Sequence, residues 1–125
     1  MHRLCPLLTA VLFGLAFTTT DAVAQDVEPG QRFTGAVVSV TDGDTYDVRR
    51  SIGGTVTVRL WGVDAPETSQ PYGSDATRAA RQLVGGKAVQ VSVEEIGAYG
   101  RAVARLTVQG GGLSEMLVRR GLAWH

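Results

Sequence analysis

The chain is poor in the residue types that most often carry chemistry. In 125 residues it has one cysteine, Cys5, and two histidines, His2 and His125. A single thiol near the start excludes a disulfide framework and a Cys/His zinc site. No Ser-His-Asp triad is expected, and no cysteine nucleophile is placed in the body of the chain. Lysine is nearly absent too. Eleven of the 12 basic residues are arginine, and Lys87 is the exception. Basic and acidic residues balance at 12 each, so the formal charge is zero and there is no global basic field for nucleic acid. Aromatic residues make up only 6%, too few for an extended stacking surface. Catalysis here must rest on carboxylates, arginines, tyrosines, hydroxyls and a hard metal ion.

Long apolar runs are absent except at the start. Arg3 supplies a short basic head, Leu7 to Phe17 an apolar stretch, and Ala22-Val23-Ala24 a small-x-small pattern. The stretch is too short to span a bilayer comfortably, so residues 1–24 are read as a secretory signal peptide cut after Ala24. Cleavage would remove Cys5 and His2 and leave about 100 residues, enough for one small core. The mature protein is expected to be secreted or periplasmic and monomeric, without stable membrane association.

Residues 25–31 read as a short N-terminal tail, and residues 32–125 as one domain. "RFTGAVVSV" (32–40), "TYDVRR" (45–50) and "TVTVRLW" (55–61) are β-rich and separated by the turn signals "DGDT" and "SIGG". Val56, Val58 and Leu60 face one way, and Arg59 and Trp61 the other. "SDATRAARQLVGG" (74–86) has helical spacing, with Ser74 or Asp75 as its cap, an apolar stripe of Ala76, Ala79, Ala80 and Leu83, and a stop at Gly85. Alternating strands follow at 87–95 and 101–108, then a short helix at 113–121. The order β-β-β-α-β-β-α fits a mainly β, α+β domain: a small five-stranded OB-type barrel with about two helices.

Four carboxylates, Asp42, Asp44, Asp64 and Glu67, cluster at turns. In a three-stranded meander, the start of the second strand and the end of the third lie side by side, so Asp44 and Asp64 can share a site. Carboxylates packed together repel unless a cation neutralises them. Without sulfur or imidazole, a hard, oxygen-seeking ion is expected, calcium before magnesium. "DGDTYD" is not an EF-hand, because Asp47 stands where that loop needs glycine and Gly53 where it needs glutamate. Taken singly, "DGDT" is an ordinary turn and Arg59 a solvated charge. Together, four acids, Arg59, Arg101 and a tyrosine at strand ends describe a metal and phosphate site without histidine.

The segments "VVSVTDGDTYDV" (37–48), "RLWGVDAPE" (59–67), "YGSDA" (72–76), "YGRAVARL" (99–106) and "LVRRGLAW" (117–124) resemble the staphylococcal nuclease, or thermonuclease, family, in family order. The resemblance implies a five-stranded OB barrel and a calcium-dependent endonuclease. It would hydrolyse phosphodiesters of DNA and RNA, favouring single-stranded or unpaired regions and leaving 3′-phosphate ends. Carried over by motif, Asp44 and Asp64 correspond to calcium carboxylates and the backbone carbonyl of Ala65 to a third ligand. Asp42 would act behind them or through water. Glu67 corresponds to the general base, Arg59 and Arg101 to the phosphate-binding arginines, and Tyr99 and Tyr72 to substrate contacts. Gly97 departs from the family pattern, which often has aspartate there, and is expected to loosen the turn holding Arg101.

The alternative reading is a non-catalytic OB-fold module that binds nucleic acid. Such a module needs a basic groove with stacking aromatics, for which only Trp61, Tyr72, Tyr99 and Trp124 are candidates. An exported calcium-binding domain would explain the acids but give the arginines no role. Sugar hydrolysis by paired carboxylates needs no arginine.

Overall fold

The computed structural model describes residues 27–125, together with the single residue Gly14. The signal-peptide reading of residues 1–24 lies outside the described residues, Gly14 alone excepted.

Five strands form the body of the domain: β1 (Arg32–Asp42), β2 (Thr45–Arg50), β3 (Thr55–Leu60), β4 (Ala88–Ile96) and β5 (Ala102–Val108). A two-residue strand, β6 (Gly111–Gly112), pairs with the end of β5. Strands β3, β2, β1, β4 and β5 neighbour one another in that order, and β3 also pairs with β5. This last pairing, Val58–Leu60 against Ala102–Ala104, is parallel and closes the sheet into a barrel. The long strand β1 makes closure possible. Its first half pairs with β4 and most of its length with β2, and two register shifts against β2 bend it, as bulges do.

The alternation read from the sequence is the alternation that is buried. Tyr46, Val48, Val56, Val58 and Leu60 point inward with no exposed surface, joined by Val89, Val91, Val93, Leu106 and the alanines of β5. Each fully buried valine or leucine contributes about 1.5–3 kcal/mol, an upper value because the unfolded chain is itself partly collapsed. Residues 27–31 lie against β4: Val27 is buried in the core, and Gly30 N and Val93 N both take part in main-chain hydrogen bonds between the two segments.

Helix α1 (Gly73–Val84) follows β3, and α2 (Leu113–Arg119) follows β6. Leu113 and Leu117 of α2 are buried, and Met116 is partly buried against the core. Two details of α1 correct the sequence reading. Its N-cap is Tyr72, in the left-handed region with no side-chain cap bond, rather than Ser74 or Asp75. Its buried face is Gly73, Ala76, Thr77, Ala80 and Val84, which leaves Ala79 and Leu83 half-buried. The loop before α1 packs closely on Gly73, whose added Cβ would fall 1.7 Å from the Glu67 carbonyl oxygen.

Candidate active site

The acids and arginines lie where β2 begins, where β3 ends and in the loop that follows. Thr45 pairs with Arg59, and Leu60 N donates to the Asp44 carbonyl at 2.8 Å. That register brings Asp44 beside Arg59 across two strands. Arg59 Nη2 donates to Asp64 Oδ1 and stands 3.8 Å from Asp44 Oδ2. One guanidinium nitrogen therefore faces two carboxylates, and the trio carries one net negative charge.

Each acid is held by a different device. Asp44 is nearly buried. Its Oδ2 accepts from Ala65 N at 3.1 Å and its Oδ1 from Thr45 Oγ1 at 3.2 Å. Asp64 is exposed at its side chain, but its backbone is fixed by a reciprocal bridge to Trp124, with both N–H groups donating at 2.8 Å. Asp42 Oδ1 accepts from Thr68 N at 3.0 Å and Thr68 Oγ1 at 2.7 Å. Asp42 thus ties the loop carrying Glu67 to the end of β1. A Cβ at Gly43 would stand 2.8 Å from the Ala65 Cβ, so glycine there lets the Asp64–Glu67 segment approach the β1–β2 turn.

Tyr46 supports the same turn from below. It is fully buried, and its hydroxyl donates to the Gly43 carbonyl. Burial first, and the Asp44 carboxylate second, push its phenol well above its ordinary range, so it stays a neutral donor.

The carboxylate of Glu67 has no hydrogen-bond partner among the described residues, while its backbone N–H donates to Gln70 Oε1 at 2.8 Å. Its position is set by α1. A Cβ at Gly73 would fall 1.7 Å from the Glu67 carbonyl oxygen, so helix and loop pack at a distance only glycine allows.

Arg101 precedes β5, whose Val103 pairs with Arg59. Arg101 is half-buried and stands one residue before the start of β5. Its turn is closed by Gly97 N donating to the Arg101 carbonyl at 2.8 Å. Tyr99 is fully exposed, with φ 61. Tyr72 is also exposed. The structure thus brings Asp44, Asp64, Arg59 and the Ala65 amide into contact and sets Asp42 against the Glu67 loop. It does not bring Tyr72 or Tyr99 into contact with that group.

Among the described residues, no three of histidine, cysteine, aspartate and glutamate stand together as a metal group. What does converge is a pair of oxygen-only donors, Asp44 and Asp64, on a single point that already holds a positive atom of Arg59. Calcium commonly completes such carboxylate pairs with backbone carbonyls and water, so the donor chemistry fits a hard cation.

Two of the candidate aromatics acquire neighbours that the sequence did not reveal. Arg105 lies over the Trp61 ring, its Cζ 4.1 Å from the centroid, a cation–π contact, and it also donates to Glu94 at 2.7 Å. Trp124 bridges Asp64 and lines a cleft with Tyr72.

Residues 57–125, which include Arg59, Asp64, Glu67 and Arg101, match the family described as staphylococcal nuclease homologues. The chain belongs to the staphylococcal nuclease family. The five-stranded barrel with two helices is the OB fold expected of that family. The chain is 40% identical over 91 residues to an uncharacterized endonuclease of Escherichia coli O157:H7, covering 72% of this chain and 59% of that one. It is 38% identical over 101 residues to a micrococcal nuclease of Shigella flexneri, covering 74% and 58%. A probable staphylococcal-like nuclease of Oryza sativa subsp. japonica is 40% identical over 68 residues, covering 54% of this chain and 20% of its own length. The chain therefore spans between a fifth and three-fifths of these staphylococcal nuclease relatives. Among the described residues, no helix is long and apolar enough to cross a membrane.

Proposed function

We propose that this domain is a nuclease that hydrolyses phosphodiester bonds of DNA and RNA, depends on calcium, and leaves 3′-phosphate ends. The observation that supports the reading is the meeting of Asp44 and Asp64 at Arg59 Nη2. The names of the relatives support the same class of activity.

Asp44, Asp64 and the Ala65 carbonyl would hold the calcium ion. When bound, it would supply positive charge next to the phosphate. The chain's own residues do the rest. Attack on a phosphodiester spreads negative charge over the phosphorus oxygens, and two guanidinium forks, Arg59 and Arg101, are suited to bind them. A preorganised donor of this kind is worth about 3–4 kcal/mol in the transition state. Glu67 takes the proton of the attacking water, a step worth roughly 10²–10⁴ in rate. Asp42 and Thr68 hold the Glu67 loop, and Tyr99 adds a hydroxyl at the rim. Substrate is bound as single or unpaired strand, because an open rim with zero net charge holds a stiff, highly charged duplex poorly.

The protein is exported after cleavage near Ala24 and acts as a monomer. N-terminal sequencing of protein recovered from outside the cytoplasm tests the export.

Incubation of the purified protein with single-stranded DNA, first with calcium and then with a chelator, tests the activity. Cutting with calcium and none with the chelator is expected, with products that are substrates for a 3′-phosphatase. Binding of the strand without cutting under both conditions would favour the non-catalytic module.

A further inference from the structure

We propose that the hydroxyls of Thr68 and Thr77 form a latch that positions Glu67 for its part in the reaction. This rests on the nuclease reading above. It names two positioning residues, neither of which touches the reacting atoms.

The loop that carries Glu67 is shaped from within. Glu67 N donates to Gln70 Oε1 at 2.8 Å. Gln70 N donates to the Glu67 carbonyl at 2.8 Å, and Gly73 N to the Gln70 carbonyl at 2.9 Å. These bonds set the curl of the loop, but they would travel with it if it moved. Among the described residues, the hydrogen bonds from residues 66–72 to the barrel strands are all made by Thr68, one residue after Glu67. Thr68 N donates to Asp42 Oδ1 at 3.0 Å. Thr68 Oγ1 donates to the same oxygen at 2.7 Å and to the Thr41 carbonyl at 2.9 Å. Thr77 Oγ1, on α1, lies 3.2 Å from Thr68 Oγ1.

The protons give this group a direction. A hydroxyl has one proton. Thr68 shares its own between the two acceptors at the end of β1, so Thr77 is the donor in the contact between the two threonines. The order runs from Thr77 to Thr68 to Asp42. It ends on a carboxylate, the stronger kind of acceptor.

Thr77 is the sign that this group does more than fill space. It lies on the buried face of α1 with Ala76 and Ala80 and is 2% exposed. Asp44 and Thr77 are the two buried polar side chains among the described residues. Such burial is the informative kind, and Asp44 is accounted for by the acid site. Alanine is a better helix former than threonine, and a buried hydroxyl is costly unless it is bonded. The bond that Thr77 makes across the fold goes to the loop of Glu67. The loop is thus fastened to β1 on one side and to α1 on the other. The Glu67 carboxylate makes no hydrogen bond among the described residues, so its position is inherited from that loop.

The test compares three variants. Thr68→Val keeps the shape and removes the hydroxyl. Thr68→Ser keeps the hydroxyl. Thr68→Val with Thr77→Val removes both hydroxyls and leaves neither one buried without its partner, a change that is nearly neutral for the fold. The measurements are kcat and KM for single-stranded DNA with calcium, and the melting temperature. Thr68→Val is expected to lower kcat by up to roughly 10²-fold, with KM within a few-fold of wild type. Loss of the partner of Thr77 should also lower its melting temperature by roughly 4–8 °C. Thr68→Ser is expected to restore both. The double variant should melt near wild type and remain slow, because its loop is still unfastened. A double variant that recovers kcat along with its melting temperature would show that the hydroxyls serve the fold alone, and overturns the latch. So does Thr68→Ser as slow as Thr68→Val, or Thr68→Val with wild-type kcat. Each of these leaves the nuclease reading standing. A wild type that does not cut overturns both.

Discussion

Arg59 and Asp64 are joined side chain to side chain across the end of β3, with Arg59 Nη2 donating to Asp64 Oδ1. The same nitrogen faces Asp44. This junction gives one arginine two duties. It offsets part of the charge of two acids that would otherwise repel, and in the proposed reaction it also binds the substrate phosphate.

Arg59→Lys separates those duties. Lysine keeps the charge but loses the planar fork. The variant is expected to fold as the wild type does, because Arg59 points outward. Cleavage of single-stranded DNA should fall by roughly 10²–10³. Circular dichroism and initial rates check both halves. A rate within a few-fold of wild type would show that the guanidinium is not used on the phosphate.

Gly73→Ala tests the packing that places Glu67. The added Cβ would fall 1.7 Å from the Glu67 carbonyl oxygen, so loop or helix must move. Overpacking of this kind costs about 1–3 kcal/mol, and displacement of a catalytic group by about 1 Å can cost roughly 10² in rate. Urea denaturation and kcat should both fall together. A variant with wild-type stability would mean that the loop is not fixed as described.

Tyr46 sets an alkaline limit on stability. Its phenol is raised by burial and by Asp44, so the folded state keeps the proton that the unfolded state releases near pH 10. Its contribution is fully present below about pH 10 and is lost as pH rises above that, at about 1.4 kcal/mol per pH unit. Tyr46→Phe removes the bond to Gly43 and should cost about 1 kcal/mol at neutral pH. It should also flatten the alkaline decline in chemical denaturation curves. An unchanged slope above pH 10 would assign the decline to other groups.

Much of this architecture was legible from residue order. Val56, Val58 and Leu60 alternate with Arg59 because a barrel strand buries one face, and that period survives any tertiary context. Asp44 and Asp64 could be paired from the meander alone, since the register of adjacent strands is short-range information. The N-terminus of α1 was not legible. Ser74 and Asp75 have the local chemistry of caps, but the helix starts at Gly73, where only glycine can pack on the Glu67 carbonyl. The Asp64–Trp124 bridge and the Arg105–Trp61 stack escaped notice for a similar reason. Each joins segments more than 40 positions apart in the chain, and no local pattern marks such a pair.

Glu67→Gln is the most direct test of the site as a nuclease. The substitution keeps the size and the backbone bond to Gln70 and removes only the capacity to take a proton. The measurement is single-turnover cleavage of single-stranded DNA with saturating calcium, beside calcium binding and thermal unfolding of the same variant. The expected result is a rate reduced by roughly 10²–10⁴ with calcium binding and unfolding unchanged. A rate near wild type, with the fold and calcium binding intact, would contradict the assignment of Glu67 as the base and with it the reading of this site.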